Sequence, residues 1–242
     1  MAIVGTNCGI YLDGYDLSGD FNALSIVTEL DAHDVTTWRD SEVVEAKIME
    51  PGLPKSSVEF GGYWRSDTAG PDKILRDRFA VKDGVLLVVT GLATAEGASA
   101  YLLSASQGRY AATPEVEKVI EYHGSFFGTA NRPGMGGSLL HPKASRASSG
   151  TSTPLNLGAI GSSGALHGVL QVFSGTGTLD ATIQSDALVG FGSPADILAF
   201  TQATGLTAQY ATLAGAVADP WWRVAYTITG GPFVFAVGMA IS

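Results

Sequence analysis

The chain has 242 residues, 31 of them Gly, and only 15% are charged: 14 Lys and Arg against 23 Asp and Glu, a net charge of −9. That length is ample for a buried core in one large domain or two small ones. The acidic balance, with no basic cluster, argues against an electrostatic nucleic-acid binder, and the single cysteine, Cys8, excludes an intrachain disulfide scaffold and a cysteine-based zinc site.

Mean hydropathy is +0.20, yet no run approaches the ~20 apolar residues of a membrane-spanning helix. The first residues, Met1-Ala-Ile-Val-Gly-Thr-Asn-Cys8, show neither the basic nor the apolar region of a signal peptide. Positive hydropathy with few charges predicts a surface largely covered by other subunits.

The predicted elements are mostly strands. One ends at Leu30, and the next begins near Ser56, where Val58 and Phe60 alternate with Ser57 and Glu59 before a bulge or bend at Gly61-Gly62. Between them, residues 31–55 read as a long loop whose return is stiffened by Pro51-Gly-Leu-Pro54. Pro71 and Asp72 open one short helix with Ile74, Leu75, Arg78 and Phe79 on a shared face, placed to plug an open side of a sheet. Gly84–Leu92 is an apolar strand, and Ala98–Tyr110 is its expected partner. Glu117–Phe127 alternates with Ile120, Tyr122, Gly124 and Phe126 on one face.

A Gly/Pro cluster follows at Asn131-Arg-Pro-Gly-Met-Gly-Gly137, then a stretch rich in Ser, Thr and Gly. Residues 1–137 carry 19 acidic and 11 basic side chains, and residues 138–242 only 4 and 3. This predicts two domains, 1–137 and 138–242, joined by a linker over about 131–153 that acts as a tether without a shared core. The second domain reads as an antiparallel sandwich, jelly-roll or immunoglobulin-like: Leu179, Ala181 and Ile183 face inward on one strand, Trp222, Val224, Tyr226 and Ile228 on another, and Phe233, Phe235, Val237 and Met239 on the last. The fold class expected is therefore mainly β.

No constellation for chemistry emerges. His33, His123, His141 and His167 lie at no metal-ligand spacing and read as solvated or interfacial. Gly134-Met-Gly-Gly137 lacks the Lys-Ser/Thr of a phosphate-binding loop, and Gly161-Ser-Ser-Gly164 is not a nucleophile elbow. The expectation is no enzyme, no metal and no cofactor. Trp222 falls in register with a core face, which leaves Trp221 free as a surface contact, for instance to a sugar ring.

The run Tyr11-Leu-Asp-Gly-Tyr-Asp-Leu-Ser18, followed by Leu24-Ser-Ile-Val-Thr-Glu-Leu-Asp-Ala-His-Asp-Val-Thr-Thr-Trp38, the hairpin Ser56–Trp64 and the closing strand Thr113–Phe127, resembles the tail tube (major tail) proteins of long, non-contractile-tailed phages. The second half is similar to β-rich modules of phage structural proteins, through Leu179-Asp-Ala-Thr-Ile-Gln184 and Arg223-Val-Ala-Tyr-Thr-Ile-Thr-Gly230. The resemblance implies a tail-tube-like β-sandwich or barrel that assembles with itself into hexameric or pseudo-hexameric rings. The rings stack into a tube through which DNA passes without specific binding, with tape-measure and tail-terminator proteins as partners. It implies location in the virion tail, after assembly in the host cytoplasm, and no membrane partner.

The loop residues Asp31, Asp34, Trp38, Arg39, Glu42, Glu45 and Lys47 are then expected to touch the next ring, and residues 138–242 to sit outside the tube, unneeded for closing the lumen. A net −8 in the first domain would repel phosphates from the wall. A capsid decoration protein and a carbohydrate- or host-surface-binding virion module are the alternatives.

Overall fold

A computed structural model describes residues 8–34, 49–65, 70–79, 81–91, 93–114, 116–129 and 134–242, with the backbone alone for 31–34 and 49–54. Among these residues the chain is mainly β, with antiparallel sheets and one helix. The strands of the first half are β1 (Gly9–Leu12), β2 (Tyr15–Asp16), β3 (Phe21–Asp34), β4 (Met49–Tyr63), β5 (Gly84–Thr90), β6 (Ser99–Thr113) and β7 (Glu121–Gly128), with α1 (Pro71–Asp77) between β4 and β5. β8 (Met135–Arg146) leads into the second half. There follow β9 (Gly150–Thr151), β10 (Leu155–Asn156), β11 (Ala165–Gly175), β12 (Thr178–Asp186), β13 (Ala195–Ala199), β14 (Thr207–Ala214), β15 (Trp221–Thr229) and β16 (Phe233–Ile241).

The alternations read from the sequence place the core. Val58 and Phe60 of β4 and Tyr122 and Phe126 of β7 are buried together with Leu86, Val88 and Leu103, and Ile74 and Leu75 of α1 pack into the same cluster. Pro71 opens α1 as expected, but the helix ends at Asp77. Phe79, expected on its buried face, is half exposed, while Arg78 turns to Asp13 and to the ring of Tyr15. In the second half, β8, β16, β11 and β14 form one layer, and β13, β12, β15, β9 and β10 the other. Leu179, Ala181, Ile183, Trp222, Val224, Phe233 and Phe235 fill the space between them. This is the expected sandwich.

The stretch expected as a tether carries β8. Its residues Ser138 and Leu139 pair with Met239 and Gly238 of β16, and Met135–Ser138 pair with Leu102–Ser99 of β6, so one sheet runs through both halves. Gly137 serves close approach here, not flexibility: a Cβ on it would lie 2.0 Å from the carbonyl oxygen of Met239. A third apolar cluster, with Tyr11, Leu87, Val89 and Leu102 from the first half and Leu139, Val169, Ala236 and Ala240 from the second, is shared between them.

Gln171, wholly buried on β11, reinforces the junction. Its Oε1 accepts from Gly14 N at 2.7 Å, and its Nε2 donates to Val85 O at 2.8 Å. Lys143 of β8 also pairs with Asp16 and lies 4.9 Å over the ring of Phe173.

Candidate assembly surface

β6 shifts its partners midway. Ser99–Ala105 pair with β5 on one side, while Ala105–Thr113 pair with β7 on the other. β7 pairs in turn with β4, and β4 with β3. The result is a four-stranded sheet, β3-β4-β7-β6, with two unpaired margins among the described residues: β3 on one side, and the part of β6 beyond Ala105 on the other.

Unpaired edges are rows of free N–H and C=O groups that invite another strand, and soluble proteins usually blunt them with Pro, Lys or bulges. Neither edge is blunted over its regular stretch. Ala23–Leu30 of β3 contains no Pro or Lys and lies between two irregularities in register, and Arg109–Thr113 of β6 likewise contains none.

The face of this sheet turned away from the core carries small and polar side chains in its two central rows, with Phe127, 48% exposed, toward one end and Tyr63 toward the other. Ser25, Glu59, Ser125 and Arg109 form one row across the four strands, and Ala23, Gly61, His123 and Ala111 the next. An open groove of about 600 Å³ runs along it. Its charges are balanced, so the acidic excess expected to line the wall is not concentrated here. That excess falls in the sequence around and between the facing ends of β3 and β4, where residues 28–50 hold seven acidic and two basic side chains.

Beyond Val27 and Ser57, β3 and β4 pair only with each other among the described residues. At about 3.3 Å per residue, Thr28–Asp34 carries this two-stranded ribbon roughly 20–25 Å past the end of β7. Residues 31–34 and 49–55, expected in a loop, are therefore strand. Asp31 and Asp34, expected to touch the next ring, sit on β3, and His33 pairs in register with Glu50. The pairing resumes after an irregularity between Leu30 and Ala32, and the two prolines of β4 did not stop it because that strand borders only β3 there among the described residues. Trp38, Arg39, Glu42, Glu45 and Lys47 lie outside the described residues.

At the opposite end of the sheet, the connection from β6 to β7 turns through Glu117 at φ 63°. A second hollow of about 480 Å³ opens there, lined by Tyr63, Thr113, Lys118, Val119, Glu121 and His123. Tyr63, Val119 and Val116 are 52%, 65% and 91% exposed. Val119 and Ile120, expected within the closing strand, precede it, because β7 begins at Glu121.

The remaining expectations fall as follows. Trp222 is fully buried, and its Nε1 donates to Gly158 O at 2.8 Å. Trp221, at the start of β15 opposite Asn156 and Asp186, is partly buried. His141 and His167 are buried, contrary to the solvated reading. His141 stacks on Phe235 at 4.4 Å and accepts from Arg146 Nε at 3.1 Å, while His167 lies between the hydroxyls of Tyr210 and Ser242. Among the described residues no group of three or more His, Cys, Asp or Glu could hold a metal ion.

No protein-family model matches the sequence, and no curated protein matches it. Among solved structures, a chain of the native gene transfer agent virion is similar over 53% of this chain and 95% of its own, at 14% identity and a TM-score of 0.41. A chain from the tail of an empty gene transfer agent particle with C6 symmetry is similar over 53% and 96%, at 14% identity and a TM-score of 0.39. The Dit protein of phage SPP1, from the hub adsorption apparatus of phages infecting Gram-positive hosts, is similar over 97% of this chain and 99% of its own, at 12% identity and a TM-score of 0.37.

Proposed function

We propose that this chain is a structural protein of a phage-type virion tail, and that it closes into rings whose four-stranded sheets join into one continuous wall around a lumen. The observation that carries this reading is the pair of unblunted edges on opposite margins of a single sheet. Pairing β3 of one copy with the Arg109–Thr113 edge of the next is a heterologous contact, which generates a ring when the rotation closes. The charge-balanced central rows of the face turned away from the core, with Glu59 and Arg109 in one of them, suit a wall along which DNA slides without being gripped. Hexameric or pseudo-hexameric rings stacked into a tube follow from the sequence resemblance, and so do tape-measure and tail-terminator partners. Residues 138–242 would then form the outer layer.

Electron microscopy of the purified chain tests this directly. Rings or tubes with an open lumen support it; trimers capping heads point to a decoration protein, and discrete glycan-binding particles to a carbohydrate module. Proline at Ala111 and at Ala112 supplies the residue-level check. Consecutive strand residues direct their N–H groups to opposite sides, so one of the two variants loses an N–H on the free edge and the other loses a bond to β7. The first is expected to abolish ring closure while changing unfolding free energy by less than about 1 kcal/mol. Intact rings from both variants would refute pairing at this edge.

A further inference from the structure

The two layers of the second-half sandwich each end in a marginal strand, β13 in one and β14 in the other. The sequence treats them differently. β13 follows Pro194, carries Asp196 bonded to Gln184, and has its register with β12 broken between Ile183 and Gln184. These are devices that discourage a further strand. β14 has none of them: Thr207–Ala214 contains no Pro and no charge, its register with β11 is unbroken, and no charged residue lies between Asp196 and Asp219. Among the described residues its outer side pairs with nothing. Gln209 braces the edge, accepting from Thr201 N and donating to Thr201 O, both at 2.7 Å. Leu206 and Leu213, at its two ends, are 46% and 39% exposed.

We propose that β14 pairs antiparallel with β14 of a second copy about a two-fold axis, so that one sheet continues through both copies. The chain carries a net charge of −9, and along this margin two copies meet with no charge on either edge strand. A two-fold perpendicular to the sheet keeps every side chain on its own face, so it passes through a residue and not between two. It brings the Leu206 end of each strand beside the Leu213 end of the other, and one symmetric contact covers both leucines. Being isologous, the contact closes at two copies. It is made by residues 138–242 and is separate from the pairing of β3 with β6, so it stands or falls independently of the ring reading. A single strand pair buries less than the roughly 1,200 Å² of a stable interface, which makes the association weak and concentration-dependent.

The test uses Thr212→Lys and Thr212→Glu, which put like charges on both edges close to the axis. Thr212 is exposed in the single chain, so neither change is expected to alter thermal unfolding. Association is measured by sedimentation velocity on the full chain, in whichever of the Ala111→Pro and Ala112→Pro backgrounds forms no rings, or unaltered if it forms none. Where rings persist throughout, the same doubling of mass is read on the ring.

The expected result is reversible doubling with Thr212 in place, weakened tenfold or more by either variant alone and regained when the Lys and Glu variants are mixed. No doubling up to about 200 μM would overturn the proposal. So would doubling that neither variant weakens, since the contact would then lie elsewhere. A mixture that stays dissociated would rule out self-pairing and leave the edge to a strand of another protein.

Discussion

A chain ending at Gly137 is expected to be unfolded or aggregated at neutral pH, although it contains every strand of the four-stranded sheet. The cut removes Leu139, Val169, Ala236 and Ala240, which cover Leu87, Val89 and Leu102, all now fully buried. Exposing three such side chains costs about 1.5–3 kcal/mol each. The total, on the order of 5 kcal/mol or more, is comparable with the whole stability of an ordinary domain, about 5–15 kcal/mol.

Far-ultraviolet circular dichroism and urea titration of the fragment check this; a cooperative transition near the midpoint of the full chain would show that the halves are independent. A gentler probe is Gln171→Leu in the full chain. It leaves the buried Gly14 N–H without the acceptor it has at 2.7 Å, at a cost of about 1–3 kcal/mol. If both results hold, residues 138–242 cannot be shed without unfolding the rest, because they complete the core that Leu87, Val89 and Leu102 share with them.

That coupling shows which parts of the architecture a single sequence carries. Faces set by local alternation were legible: Val58 and Phe60, Tyr122 and Phe126, Leu179 to Ile183, and the inward Trp222 all lie where a period of two puts them. Features defined by a distant partner were not. Gly136-Gly137 looked like a flexible joint, since composition records only that glycine is present, not that Met239 and Ala240 press against it.

The last strand, β16, read as having one inner face. Its other face, Ala236, Gly238 and Ala240, is buried as well, against the first half. Small residues there carry no periodic signal; a Cβ at Gly238 would meet a Leu87 methyl at 2.7 Å. The candidate assembly surface was the least legible of all. An edge is defined by the pairing a strand lacks, and nothing in Arg109–Thr113 marks it as different from Ser99–Leu102, which is paired on both sides. Gln171 did leave a trace, as a lone amide inside the apolar run Val169–Phe173.

His141 gives the chain a stability that falls with acid well above the carboxylate range. Burial pushes its pKa down from 6.5 to about 4, and the nearby Arg146 guanidinium adds to the effect. The ring lies flat on Phe235 and edge-on to Tyr226. Its Nε2 accepts from Arg146, and its buried Nδ1 has no hydrogen-bond partner among the described residues.

The unfolded chain takes up a proton at this residue near pH 6.5, and the folded chain only near pH 4. Between those values the unfolded state therefore holds more protons, and stability declines as pH falls. The loss is complete below about pH 4 and absent above about pH 7. A shift of this size corresponds to on the order of 3 kcal/mol.

Urea titrations at pH 7.5 and pH 4.5 should show most of that difference in the unaltered chain. His141→Phe keeps a ring against Phe235 and Tyr226 without a titratable nitrogen, and should flatten the profile across the same window. An equally steep decline in the variant would place the acid sensitivity elsewhere in the chain.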